Sequence, residues 1–74
     1  MIKLEQIRLN IAEAIKQSGL TQTELARRIG VKQQQISCYL KCEKLPTLDT
    51  FAKLCAVLDL EANEILCVED YFSN

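Results

Sequence analysis

Seventy-four residues, 49% of them apolar and none of them Trp or His, are enough for one small helical core and one domain at most. The net charge of −1 hides an asymmetry: Lys3, Arg8, Lys16, Arg27, Arg28, Lys32, Lys41 and Lys44 face four Glu in residues 1–44, whereas Lys53 stands against Asp49, Asp59, Glu61, Glu64, Glu69 and Asp70 in residues 45–74. No apolar run approaches the ~18 residues of a membrane span, and with no His, no Gly-rich phosphate loop and no evident carboxylate pair the pattern argues against an enzyme.

The spacing of Leu4, Ile7, Ile11, Ala14 and Ile15 predicts a first helix over residues 4–18. Lys3, Arg8, Asn10, Glu13 and Lys16 occupy its other side, and Gly19 follows as a left-handed stop. No signal peptide is expected, because Met1, Ile2 and Lys3 lead directly into this amphipathic helix.

Residues 20–40, LTQTELARRIGVKQQQISCYL, predict two short helices meeting at a tight turn. Thr21 can cap a helix over Gln22–Ile29, and Glu24 three residues on can reach back to complete a capping box. Leu20 and Leu25 fall at the positions of a hydrophobic staple. Leu25, Ala26 and Ile29 share a face, Gly30 supplies a positive φ, and Val31 plugs the corner. A third helix over Gln33–Leu40 then buries Ile36, Tyr39 and Leu40. Lys32 at its cap position is a weak cap but adds a cation.

Residues 41–46 form a link. Either Cys42 is left-handed there, at a cost of about 1 kcal/mol or more, or the third helix runs on until Pro46 ends it. Thr47 is the expected cap of a fourth helix reaching about Leu58, with Asp49 in its first turn. Leu48, Phe51, Ala52, Leu54, Cys55 and Leu58 make its apolar stripe, and Asp59 takes a left-handed corner. A short fifth helix over residues 62–67 buries Ile65 and Leu66. Val68, Tyr71 and Phe72 are spaced for one helical face, where they cap the core, pack on a partner subunit or fray.

Residues 20–40 resemble the bihelical unit of the λ-repressor-like, Cro-type (XRE) regulators. The matching residues are Leu20, Thr21, Gln22, Glu24, Leu25, Ala26, Ile29, Gly30, Val31, Gln33, Ile36 and Leu40. Residues 44–50 resemble that family's connection into its fourth helix, and residues 60–66 its fifth. The resemblance covers roughly residues 4–67. It implies an all-α, compact five-helix DNA-binding domain whose helix-turn-helix is formed by helices 2 and 3. Residues 1–74 would be a single domain, with 68–74 a tail. The sequence departs from the family at Lys32, where a small hydroxyl or amide is usual, and at Cys42, where Gly is usual.

With Ile36 at the centre of the buried stripe, a turn of about 100° per residue points Gln34, Cys38 and Lys41 outward, flanked by Gln33, Gln35 and Ser37. Glutamine can bond adenine N6 and N7 bidentately in the major groove, and a recognition helix presents its N-terminal residues to base edges. By resemblance, Gln33, Gln34 and Ser37 are base-reading candidates, with Cys38 next. Gln22, Lys32, Gln35, Lys41 and Lys44 are candidates for backbone phosphates, Gln22 with help from the helix dipole. The bland alternative is three solvated Gln on an exposed face. Arg27 and Arg28 are phosphate contacts or ordinary solubilising charge. Tyr39 is expected to bury its ring with a wet hydroxyl, the alternative being a phosphate contact.

Cys38 and Cys42 are i, i+4 neighbours, but a closed zinc site wants four ligands, and Cys55 and Cys67 are expected to be buried on other helices. The four Cys show no paired spacing, which suits a reducing cytosol better than a disulfide framework. No metal, cofactor or small-molecule substrate is expected. The resemblance implies a cytoplasmic transcriptional regulator that binds double-stranded DNA, a repressor in the simplest case, since a duplex responds to local potential rather than net charge. A chain this short buries only about 60% of its unfolded surface, so a homodimer is expected. The competing function is an antitoxin-like or adaptor module that uses the same fold to bind protein, as the acidic C-terminal half would suit.

Overall fold

The computed structural model describes residues 2–71. Its elements are α1 (Leu4–Gln17), α2 (Gln22–Ile29), α3 (Gln33–Leu40), α4 (Leu48–Leu58) and α5 (Ala62–Ile65), followed by a 3₁₀ turn over Val68–Tyr71. The described residues contain no strand. None of their helices is long and apolar enough to cross a membrane. The bounds of α2 and α3 are those the sequence predicts.

Local chemistry explains where these helices stop. At the end of α1, the Ser18 hydroxyl donates to the Ile15 carbonyl at 2.6 Å and accepts from Leu20 N–H at 3.2 Å, with Gly19 at φ 76° between them. Gly30, also at φ 76°, lets Val31 N–H reach back five residues to the Ala26 carbonyl at 3.0 Å. That bond is the closing bond of a Schellman motif. The same closure recurs at α3, where Glu43 N–H reaches Cys38 O at 3.0 Å, and at α4, where Leu60 N–H reaches Cys55 O at 2.9 Å. The left-handed residues there are Cys42 (φ 60°) and Asp59 (φ 54°). The chain therefore adopts the left-handed alternative at Cys42, and α3 stops at Leu40.

The core is centred on Leu25, Ile36 and Leu54, the largest side chains that are fully buried. Around them pack Ile7, Ile11 and Ile15 of α1, Ile29 of α2, Tyr39 of α3 and Phe51 of α4. α2 lies against α3 and α4, and α1 against α3 and α5. Leu20, Val31 and Leu40 are half-buried against this cluster.

Several expectations need correction. Leu4 is 55% exposed, because the first turn of α1 precedes the cluster, which begins at Ile7. Ala12, not Ala14, is the buried alanine of α1. In α4, Leu48 is 82% exposed and Ala52 is exposed, while Thr50 is buried. At about 100° per residue, Leu48 and Ala52 lie about 120° and 160° away from Leu54, whereas Thr50 lies about 40° away. The Glu24 half of the expected capping box is not made. Thr21 Oγ1 accepts from Glu24 N–H at 3.1 Å, but the Glu24 carboxylate turns to Arg27 and Arg28. Charge-assisted bonds to two guanidinium groups outcompete one neutral amide N–H. Likewise Thr47 does not cap α4 with its side chain; its hydroxyl donates to Asp49 Oδ1 at 2.6 Å.

α5 is shorter than predicted. Leu66 is its cap, and Cys67 at φ 57° breaks the helical path. Asn10, expected on the solvent side of α1, instead donates to the Ile65 carbonyl at 3.0 Å and touches Cys67 Sγ at 3.4 Å, tying α1 to the end of α5. Cys55 and Cys67 are half-buried rather than buried. Of the expected tail face, Val68 is half-buried, Tyr71 is 69% exposed and Phe72 lies outside the described residues.

Candidate nucleic-acid interface

The surface of interest is built from its inner side outward. Ile36 is completely buried and Tyr39 is 4% exposed, so α3 is anchored on the core by one face. Burial pushes the Tyr39 phenol up from its ordinary pKa, with Cys38 and Asp49 nearby adding to the shift. The ring is core, as expected. With that face fixed, Gln33, Gln34 and Gln35 are exposed, and Ser37 and Cys38 are half-buried on the flank.

The two ends of α3 converge on one hollow. Lys32, Gln34, Gln35, Cys38 and Lys44 line a shallow depression on its outer side. Lys44 reaches this hollow because the Cys42 corner reverses the chain just after α3. Lys41 is exposed at the helix end, with Glu43 exposed two residues on. Gln22 is half-buried at the first position of α2 and is not among the residues that line the hollow.

Hydrogen bonds set the glutamines apart. Gln35 Oε1 accepts from Lys32 N–H at 3.1 Å, while Gln35 N–H donates to Lys32 O at 2.9 Å. Lysine has no side-chain acceptor, so the returning glutamine caps this helix start in its place. Gln33 Oε1 accepts from the Thr23 hydroxyl at 3.1 Å, which bridges the first turns of α2 and α3. No sequence signal singles out Thr23. Its partner is ten positions away across a turn, and no local spacing rule links them.

Arg27 and Arg28 lie along α2 and are paired with Glu24, Arg28 Nε at 2.8 Å. These partners hold the Glu24 carboxyl down to about 2, chiefly through the bond from Arg27 and then that from Arg28. Lys32, Lys41 and Lys44 form no ion pair with Asp or Glu among the described residues. Asp59, Glu61, Glu64, Glu69 and Asp70 are all exposed, on the end of α4, α5 and the 3₁₀ turn. A second concavity, of about 450 Å³ between α1 and α5, carries Glu13 and Glu64 and no Lys or Arg. It is therefore separate from the basic hollow. Among the described residues no group of His, Cys, Asp and Glu is placed to hold a metal ion.

Residues 11–65, well over half of the chain, match the model of a family described as Helix-turn-helix. No curated protein and no solved structure matches the chain.

Proposed function

We propose, from the premise that this chain belongs to the λ-repressor-like helix-turn-helix family of DNA-binding proteins, that it is a sequence-specific transcriptional regulator whose α3 enters the major groove. In this reading Gln33, Gln34 and Ser37 meet base edges, with Cys38 beside them. Gln22, Lys32, Gln35, Lys41 and Lys44 meet phosphates and fix the register. Two copies pair as a homodimer on half-sites about one helical turn, 34 Å, apart. Repression follows by occlusion of the bound site.

The observation that carries the reading is the two-sidedness of α3. A fully buried Ile36 holds the helix from behind, while its outer face offers carboxamides in a hollow edged by Lys32 and Lys44. Carboxamides provide base-edge donors and acceptors; ammonium groups provide sequence-independent attraction. The test is selection from random duplexes, followed by mobility shift of the selected site at rising salt. Enrichment of one motif, with affinity falling steeply as salt rises, supports the reading. Equal, absent or salt-insensitive binding refutes it, and co-purification of one protein partner in that case supports the adaptor function instead.

A further inference from the structure

We propose that Thr23 is a positioning residue of the reading surface: its hydroxyl holds the Gln33 carboxamide so that Gln33 presents its NH2 group, as a donor, to the DNA. The inference rests on the reading of α3 as the base-reading helix and names what sets its specificity.

The three consecutive glutamines have the same chemistry but different commitments. Gln35 turns its oxygen to a backbone N–H, which can only donate. Gln33 turns its oxygen to Thr23. The Gln34 side chain makes no hydrogen bond among the described residues, so both ends of its carboxamide remain available. The row therefore offers a donor, a two-way group and a second donor. The bidentate contact to adenine needs an oxygen and an NH2 together, which favours Gln34 for that role. Gln33, held through its oxygen, suits a base-edge acceptor such as guanine O6 or N7 or thymine O4. Holding the side chain beforehand also removes part of the ordering cost of binding.

The bond lies on the surface. Thr23 and Gln33 are both exposed, so its loss leaves the core intact. Thr23→Val keeps the shape and removes the hydroxyl; Thr23→Ser restores the donor. Each variant goes through selection from random duplexes and competition binding on the parent's best site and on a random duplex. We expect Thr23→Val to weaken the best site by about tenfold, the size of one hydrogen bond. Preference should relax at one base position only, the random duplex should be bound as before, and Thr23→Ser should recover most of the loss. Thr23→Val added to Gln33→Ala should cost nothing further.

Three results overturn the proposal: an unchanged base preference in Thr23→Val, additive losses in the double variant, or equal weakening on every duplex, which would make Thr23 a phosphate contact. If the parent itself selects no motif, the base-reading function fails first, and the two failures are thereby distinguished.

Discussion

Gln34→Ala tests the proposed reading surface at an exposed position. Gln34 sits at the second position of α3, away from the buried Ile36, and shares its hollow with Lys32 and Lys44. Truncation removes no buried area and no internal hydrogen bond. Alanine is also the better helix former, by a few tenths of a kcal/mol. Folding stability should therefore stay level or rise slightly. Binding should behave differently. A bidentate carboxamide contact discriminates by about 1–3 kcal/mol, which is about 5- to 150-fold in affinity. Gln34→Ala should fall toward the upper part of that range, since both ends of its carboxamide are uncommitted. The assay is competition binding on the selected site and on every single-base variant of it, with thermal melting as the folding control. The variant should bind more weakly, with one base position no longer distinguished. Parent-like affinity for the full site would remove Gln34 from the reading surface.

Lys41→Ala should weaken selected and random duplexes alike and lower the slope of log K against log salt by about one; a parent-like slope would mean that Lys41 contacts no phosphate. Cys42→Gly should raise stability by about 0.5–1 kcal/mol, because about 1–2 kcal/mol of left-handed strain at φ 60° is relieved against a smaller loss of chain entropy. For a chain this size that is a rise of a few degrees in Tm, and a lower Tm would refute the strain. Glu24→Gln should lower Tm near neutral pH and make no difference near pH 2. The Glu24 pKa is depressed in the folded state to about 2, so its contribution is complete above the ordinary carboxylate pKa and disappears as pH falls through 2. Melting curves from pH 6 to pH 2 would show the two proteins converge; a gap that widens in acid would reverse the sign.

What the sequence made legible was whatever depends on neighbours in the chain. The helix-turn-helix bounds follow from Thr21, Gly30 and the apolar spacing of Leu25, Ile29 and Ile36, all local signals. The left-handed Asp59 belongs to the same class. Competition among partners was not legible. Glu24 had three groups in reach and chose the guanidinium pair over the backbone. Thr47 chose Asp49 for a similar reason, proximity to a charge. Contacts across the fold were also hidden. Asn10 reads as a solvent-facing polar residue until Ile65, 55 positions on, is placed above it. Leu48 and Ala52 read as apolar-stripe residues on hydrophobicity, although their angular positions on α4 turn them to solvent. On the α3 surface, composition pointed to the glutamines but not to Thr23, because hydrogen-bond direction across a turn leaves no periodic trace.

The separation of charge along the chain governs how this protein meets a polyanion. Viewed from far away, a body with a total of −1 exerts almost no pull on a duplex. In the proposed docking, within about 8 Å, the Debye length at physiological salt, Lys32, Lys41 and Lys44 would act on the nearest phosphates while the exposed carboxylates of the α5 region would repel any that approach from their side. Attraction is thus orientational and short in range. Under that docking, collisions that begin with α3 foremost would persist and others would be shed, a filter that a uniformly basic protein lacks.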